Sequence, residues 1–337
     1  MVASGCAAPE QRVESAHPVL SPSTAPPRPP PSDSAADERV LALDPEHITA
    51  RQVREVLASA PAPRIIALQG SLDFITMQPF SEFLIAMGYP ADRLRNPASG
   101  ALSYSSYIDS AHLAGTLAWY REREGMTPLL IGHSQGGMIV VRVLHELAAA
   151  FNPSIEVWNP LADRGEGRDW FVDPDDGTRR SVVGLRVDFA AALATGKLPR
   201  LLLGQWTMLG KLRGIPDTVI DFTGYTIDWD PIAGTFPGGE PYNALGSAHV
   251  RNVDLPAATS HVGLPDMRAL AADPAARALI DAYRPPPELS AADAAATGDA
   301  GRLIAAADLW YSVKKHWCLD AQRAIQARRA LAARAPR

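Results

Sequence analysis

Thr127-Pro-Leu-Leu-Ile131 is a short apolar run that leads without a spacer into Gly132-His133-Ser134-Gln135-Gly136-Gly137, and Met138 to Ala150 follows with the apolar spacing of a helix. A run of this length bounded by glycines reads as a buried strand. A strand that passes into a helix through so short a link must turn sharply, and glycines on either side of Ser134 let the backbone pass close to its neighbours without a Cβ. Such a turn lifts Ser134 Oγ above the sheet edge, at a helix N-terminus whose free N–H groups favour an anion. The pattern points to acyl transfer by an activated serine. The alternative is a glycine-rich connection in which the serine hydroxyl is merely satisfied.

The flanking sequence predicts alternating helices and strands. Arg51 to Ala58 carries Val53, Val56 and Leu57 on one helical face, and Arg64-Ile-Ile-Ala-Leu68 reads as a buried strand ending at Gln69-Gly70-Ser71. A helix is expected over Ser110 to Glu124, with Leu113, Leu117 and Tyr120 in register, Asp109 as N-cap and Gly125 as stop. Further strands read at Ser154 to Trp158, Thr218 to Phe222 and Val250 to Leu255. Strands separated by helices of this length predict an α/β fold, a mostly parallel sheet with helices on both faces. Hydrophobic residues make up 47% of the 337 positions, enough for a sizeable core, which excludes a wholly disordered chain. The net charge of -5 excludes a general electrostatic hold on nucleic acid. No apolar run reaches the roughly 18 residues of a membrane span; the richest, Leu198 to Leu212, is broken by Pro199, Arg200 and Lys211.

The Gly-His-Ser-Gln-Gly-Gly run resembles the nucleophile turn of bacterial lipases and esterases, and with the order of elements it makes residues 40–283 similar to the α/β-hydrolase superfamily. The resemblance implies an α/β-hydrolase fold and a triad in the order Ser, Asp or Glu, His, with no metal or organic cofactor. The residues can be checked against it. A hydroxyl is a poor nucleophile until an imidazole takes its proton, and the imidazole needs a carboxylate on its other nitrogen. Of eight histidines, His17 lies in a Pro-rich stretch, His47 precedes the sheet, His112 and His145 fall in helices, and His316 belongs to the C-terminal region. His133 sits inside the turn, where its side chain is expected to pack beside Ser134 and not to act as base, and His249 begins a strand. His261 follows the Val250 to Leu255 strand in the expected loop, so it is the candidate base. For the acid, Asp228 and Asp230 both follow the Thr218 strand. Asp230 is favoured because Asp230-Pro231-Ile232 is similar to the run that carries the acid in lipases of this superfamily. For the oxyanion, the resemblance implies the backbone N–H of Gln135 and one from Gly70 or Ser71.

Residues 160–216 read as a helical cap or lid insertion within a hydrolase domain spanning 38–284. The insertion opens with a charged loop and ends in Phe189, Leu193, Leu198, Leu201, Leu202, Leu203, Trp206, Met208, Leu209 and Leu212, fit either to line an acyl pocket or meet a lipid surface, or simply to pack on the core. Residues 285–337 read as a linker and helical tail with Arg328, Arg329, Arg334 and Arg337 on a solvated face. Residues 1–37 hold eight prolines before Ser32 among Ser and Ala, the composition of an extended tether. Within it Ala3-Ser4-Gly5-Cys6 resembles the end of a bacterial lipoprotein signal, although no basic or apolar segment precedes it. Lipidation of Cys6 would anchor the protein to a membrane of the bacterial envelope; with a chance cluster of small residues it is cytoplasmic. The expected partner is a small-molecule or lipid ester, cleaved through an acyl-enzyme. The alternatives are a thioesterase, amidase or acyltransferase with the same triad, or an inactive binding protein on the same fold.

Overall fold

A computed structural model of the protein describes residues 34–196, 206–234, 240–285 and 299–334. Cys6, Leu198, Leu201, Leu202, Leu203 and Arg337 lie outside the described residues, as does most of the expected tether. The first element, helix α1 (Ser34–Leu41), takes up the last positions assigned to that tether. Helix α2 (Ala50–Glu55) follows, its start fixed by Thr49 and Gln52, which cap one another's backbone N–H groups.

The centre is a five-stranded, wholly parallel sheet of β1 (Ile65–Leu68), β2 (Leu129–His133), β3 (Val187–Leu193), β4 (Val219–Ile227) and β5 (His249–Leu255), in that spatial order. Register is pinned across it by Ile66 beside Leu130, Leu130 beside Ala190, and Ala190 beside Phe222. Side chains alternate between faces with the period of two that a strand imposes. Ile65, Ala67, Ile131, Phe189 and Tyr225 enter one apolar cluster, and Ile66, Leu68, Leu130, Ala190 and Phe222 enter the other. Helices α4 (Ser110–Glu124) and α5 (Gln135–Leu147) cover the second face. Helices α3 (Gln78–Met87), α6 (Arg268–Ala272), α7 (Pro274–Ala282) and α8 (Ala300–Arg334) cover the first. The α4 ends are those expected: Asp109 Oδ1 accepts from the N–H groups of Ala111 and His112, and Gly125 stops the helix at φ +80°.

Three expectations are corrected. Ser154 to Trp158 is not a strand of the sheet: Val157 exchanges backbone hydrogen bonds with Glu166 and Arg168 in a small antiparallel excursion. The third sheet strand is instead β3, inside the span read as a cap, so Phe189 and Leu193 are core residues and not lid residues. Among the described residues the rest of that span holds two short antiparallel pairings, a 3₁₀ turn at Trp206–Met208 and a two-residue strand, Gly214–Ile215, parallel to Asn243–Ala244, with no α-helix. Alanine-rich Val187-Asp-Phe-Ala-Ala-Ala-Leu193 lacks the β-branched signature of a strand, yet its small side chains suit a central position with a helix packed close above.

The third correction concerns the C-terminal region. Helix α8 is 35 residues long and is a core element, burying Leu309, Trp310, Val313 and Trp317 completely. Its polar residues are tied in as well. Asp308 accepts from the hydroxyls of Tyr225 and Tyr283 and pairs with Arg251. Lys314 Nζ donates to Ile48 O at 3.1 Å, and Arg328 and Arg329 pair with Asp37 and Glu38 of α1. Trp317 lies edge-on to Tyr89 and donates to Pro61 O at 3.0 Å. Trp317→Ala should therefore lower stability by about 3–5 kcal/mol in chemical denaturation, the loss expected of a buried indole. A residue on a solvated tail would change stability by less than about 0.5 kcal/mol. Among the described residues no helix is long and apolar enough to cross a membrane.

Candidate active site

Because all five strands are parallel, the loops after their C-terminal ends gather at one edge of the sheet. Those loops carry Gly70 and Ser71 after β1, Ser134 after β2, Thr195 after β3, Asp230 after β4 and His261 after β5.

Ser134 has φ +53° and ψ -114°, a conformation that a non-glycine residue enters only under constraint. Backbone on both sides holds it there: its N–H donates to Leu193 O at 2.8 Å, and its carbonyl accepts from Thr195 Oγ1 at 3.0 Å. The glycines of the turn are required by space. A Cβ on Gly136 would stand 2.2 Å from Leu68 O, one on Gly132 would stand 2.3 Å from the Gly136 backbone, and one on Gly137 would meet Thr195 Oγ1 at 2.0 Å. Glycine therefore lets α5 start at Gln135, three residues before the expected Met138, and seat its first turn against β1 and β3.

The structure brings Ser134, His261 and Asp230 together. His261 Nδ1 donates to Asp230 Oδ2 at 2.5 Å, and its Nε2 lies 3.1 Å from Ser134 Oγ, placed to accept the hydroxyl proton. All three are buried. Asp230 Oδ1 accepts from the N–H groups of Ile232 and Ala233 at 2.9 and 3.0 Å, which orients the carboxylate. Burial raises the Asp230 pKa, but the hydrogen bonds from His261 and the two loop N–H groups outweigh it, so the carboxyl stays below its usual range and ionised at neutral pH. Asp228 is half-buried two positions earlier and makes no hydrogen bond to His261. Between them Trp229 takes φ +59°.

The loop after β1 reaches Ser134: a Cβ on Gly70 would stand 3.5 Å from Ser134 Cβ. That loop is braced by groups absent from the sequence reading. Ser106 Oγ donates to Gly70 O, Tyr107 Oη donates to Ser71 O, and Ser103 Oγ donates to Gln69 Oε1. The Gln135 side chain donates to Ser106 O at 3.3 Å, which ties the first turn of α5 to the same brace. The backbone N–H of Gln135 opens that helix, where no carbonyl of an earlier helical turn receives it.

His133 packs beside the triad and not within it. Its Nε2 donates to His261 O at 2.9 Å, which places a ring proton on Nε2 and holds the loop that carries His261. Burial lowers its pKa to about 3, and the neighbouring His261 adds to the effect. Thr195 is thus a support that spacing alone did not identify, whereas His133 packs beside Ser134 as expected of its place in the turn. A histidine whose folded pKa falls below its usual 6.5 takes up its proton only in the unfolded chain, so stability is lost as pH falls below about 6.5. Between pH 7.5 and 5 His133 should account for about 2 kcal/mol of that loss. His133→Gln keeps a donor for His261 O but has nothing to titrate. Denaturation across this range should show a slope shallower by about one proton in the variant, while His145, shifted in the same direction by burial, keeps its part. Equal slopes would contradict a neutral His133.

A cleft of about 510 Å³ lined by Arg121, Asp173, Arg180, Asp188 and Arg323 lies toward the opposite end of the strands and carries none of the triad. The chain matches no protein-family model and no curated protein.

Proposed function

We propose that this protein is a serine hydrolase of the α/β-hydrolase type that cleaves carboxylic esters. The observation that carries the reading is the unbroken chain Ser134 Oγ, His261, Asp230 on a strained strand-to-helix turn. Ser134 Oγ attacks the ester carbonyl as His261 Nε2 takes its proton. The tetrahedral oxyanion is held by the N–H of Gln135 and one from Gly70 or Ser71. Asp230 stabilises the imidazolium and fixes which nitrogen carries the proton, and His261 then protonates the leaving alcohol. Water, deprotonated by the same imidazole, releases the acyl group from Ser134. A fluorophosphonate probe should label the wild type at Ser134, and p-nitrophenyl esters from acetate to palmitate should be hydrolysed with a preferred acyl length. An unlabelled serine together with no turnover across that series overturns the reading.

A further inference from the structure

Ser106 is 1% exposed and bonds to both segments from which the oxyanion donors are drawn. Its Oγ donates to Gly70 O at 2.9 Å, in the loop after β1, and its carbonyl accepts from Gln135 Nε2 at 3.3 Å, in the first turn of α5. The segment that carries Ser106 is itself fixed to the sheet. Tyr104 forms a parallel bridge with Leu68 of β1, its N–H donating to Ala67 O at 2.8 Å and its carbonyl accepting from the Gln69 N–H at 3.0 Å. Ser103 Oγ donates to Gln69 Oε1 and accepts from the Met77 N–H. Ser106 is therefore a fixed point to which the loop and the helix are both tied. The bond to Gly70 O also acts on a group it does not touch. Gly70 C=O and Ser71 N–H belong to one planar trans peptide unit and point in opposite directions, so holding the carbonyl sets where the N–H is aimed. Among the described residues neither the Ser71 N–H nor the Gln135 N–H reaches an acceptor. Backbone donors left over in this way serve water or a ligand.

We propose that Ser106 is a positioning residue for the reaction, coupling the direction of the Ser71 N–H to that of the Gln135 N–H so that both serve the oxygen that gains charge. The proposal rests on the hydrolase reading and deepens it, adding a residue that bonds to none of the triad side chains. Donors aimed in advance need no reorganisation when the charge appears. Freeing one of them slows the step that forms the oxyanion and leaves substrate affinity nearly alone, because the interaction is made in the transition state.

The test is Ser106→Ala, assayed on the p-nitrophenyl ester that the wild type turns over fastest. kcat should fall about tenfold, a fraction of the roughly 10²–10³ that full removal of an oxyanion donor costs, while KM stays within about twofold. Inhibition by an alkyl trifluoromethyl ketone, whose adduct with a serine carries the same oxyanion, should weaken by about the factor that kcat/KM loses. The pH at which kcat/KM rises should not move, because the bonds of His261 and Asp230 are untouched. Ser106→Thr keeps the hydroxyl and should recover most of the lost rate. Gln135→Met breaks the same link from its other end and keeps the backbone N–H. Combined with Ser106→Ala it should cost no more than the worse single change, since groups that act as one unit are not additive. Should Ser106→Ala fail to fold, Gln135→Met carries the kcat, inhibitor and pH readouts. An unchanged kcat, a loss carried by KM, a shifted pH profile or losses that multiply in the double variant overturn the proposal while fluorophosphonate labelling of the wild type stands. Absence of both turnover and labelling in the wild type overturns the hydrolase reading and this proposal with it.

Discussion

Ser134→Ala is expected to lower kcat on p-nitrophenyl esters by about a million-fold, leaving only what the oxyanion donors and substrate binding supply. The size of the effect follows from the geometry. Among the described residues His261 Nε2 bonds to one hydroxyl, that of Ser134 at 3.1 Å, and without it the proposed nucleophile is gone. The fold should survive, because the contacts holding residue 134 run through its backbone N–H and C=O and not through its hydroxyl. The melting transition of the variant, measured beside its kcat, separates lost chemistry from lost structure. Retention of most of the activity would remove Ser134 from the mechanism.

Asp230→Asn should cost about 10⁴ in kcat. The asparagine keeps an Oδ1 acceptor for the Ile232 and Ala233 N–H groups, so the loop remains ordered. Toward His261 it presents an amide donor where the carboxylate accepted. The imidazole must then carry its proton on Nε2, facing Ser134, and can no longer act as base. Asp228→Asn should change kcat little, since Asp228 makes no bond to the histidine. Steady-state kinetics of the two variants decides between them: the reverse ranking would move the role to Asp228, and two small losses would remove both.

The parts of the site that could be read from sequence are those whose chemistry is local. Gly132 and Gly136 are needed because the atoms they approach lie in the same turn or in the strand beside it, and Asp230 and His261 each follow their strand closely. Asp109 and Gly125 likewise bound α4 through bonds to their immediate neighbours. What could not be read depends on distant partners. β3 is alanine-rich because of what packs above it, and nothing within Val187 to Leu193 says so. Helix α8 has Asp308, Lys314 and His316 among its apolar residues, which makes it look like a solvated helix; each is buried only because Tyr225, Arg251, Ile48 or Asp221 supplies a partner from far away. Thr195 is one of many threonines until β3 ends beside Ser134.

Those long-range contacts of α8 also bear on how the chain is made. Gln322 donates to the carbonyls of Val40 and Leu43, and Trp317 to that of Pro61, so the segment synthesised first is closed by one synthesised more than 250 residues later. Ser134, Asp230 and His261 are all synthesised before α8, and the sheet face that α3, α6 and α7 cover in part is completed only when α8 arrives. Contacts of such sequence separation slow folding, and the apolar face they leave open is prone to aggregation in the interval. A nascent chain stalled within α8 would hold Ser134, Asp230 and His261 and still lack the helix that completes the face behind them.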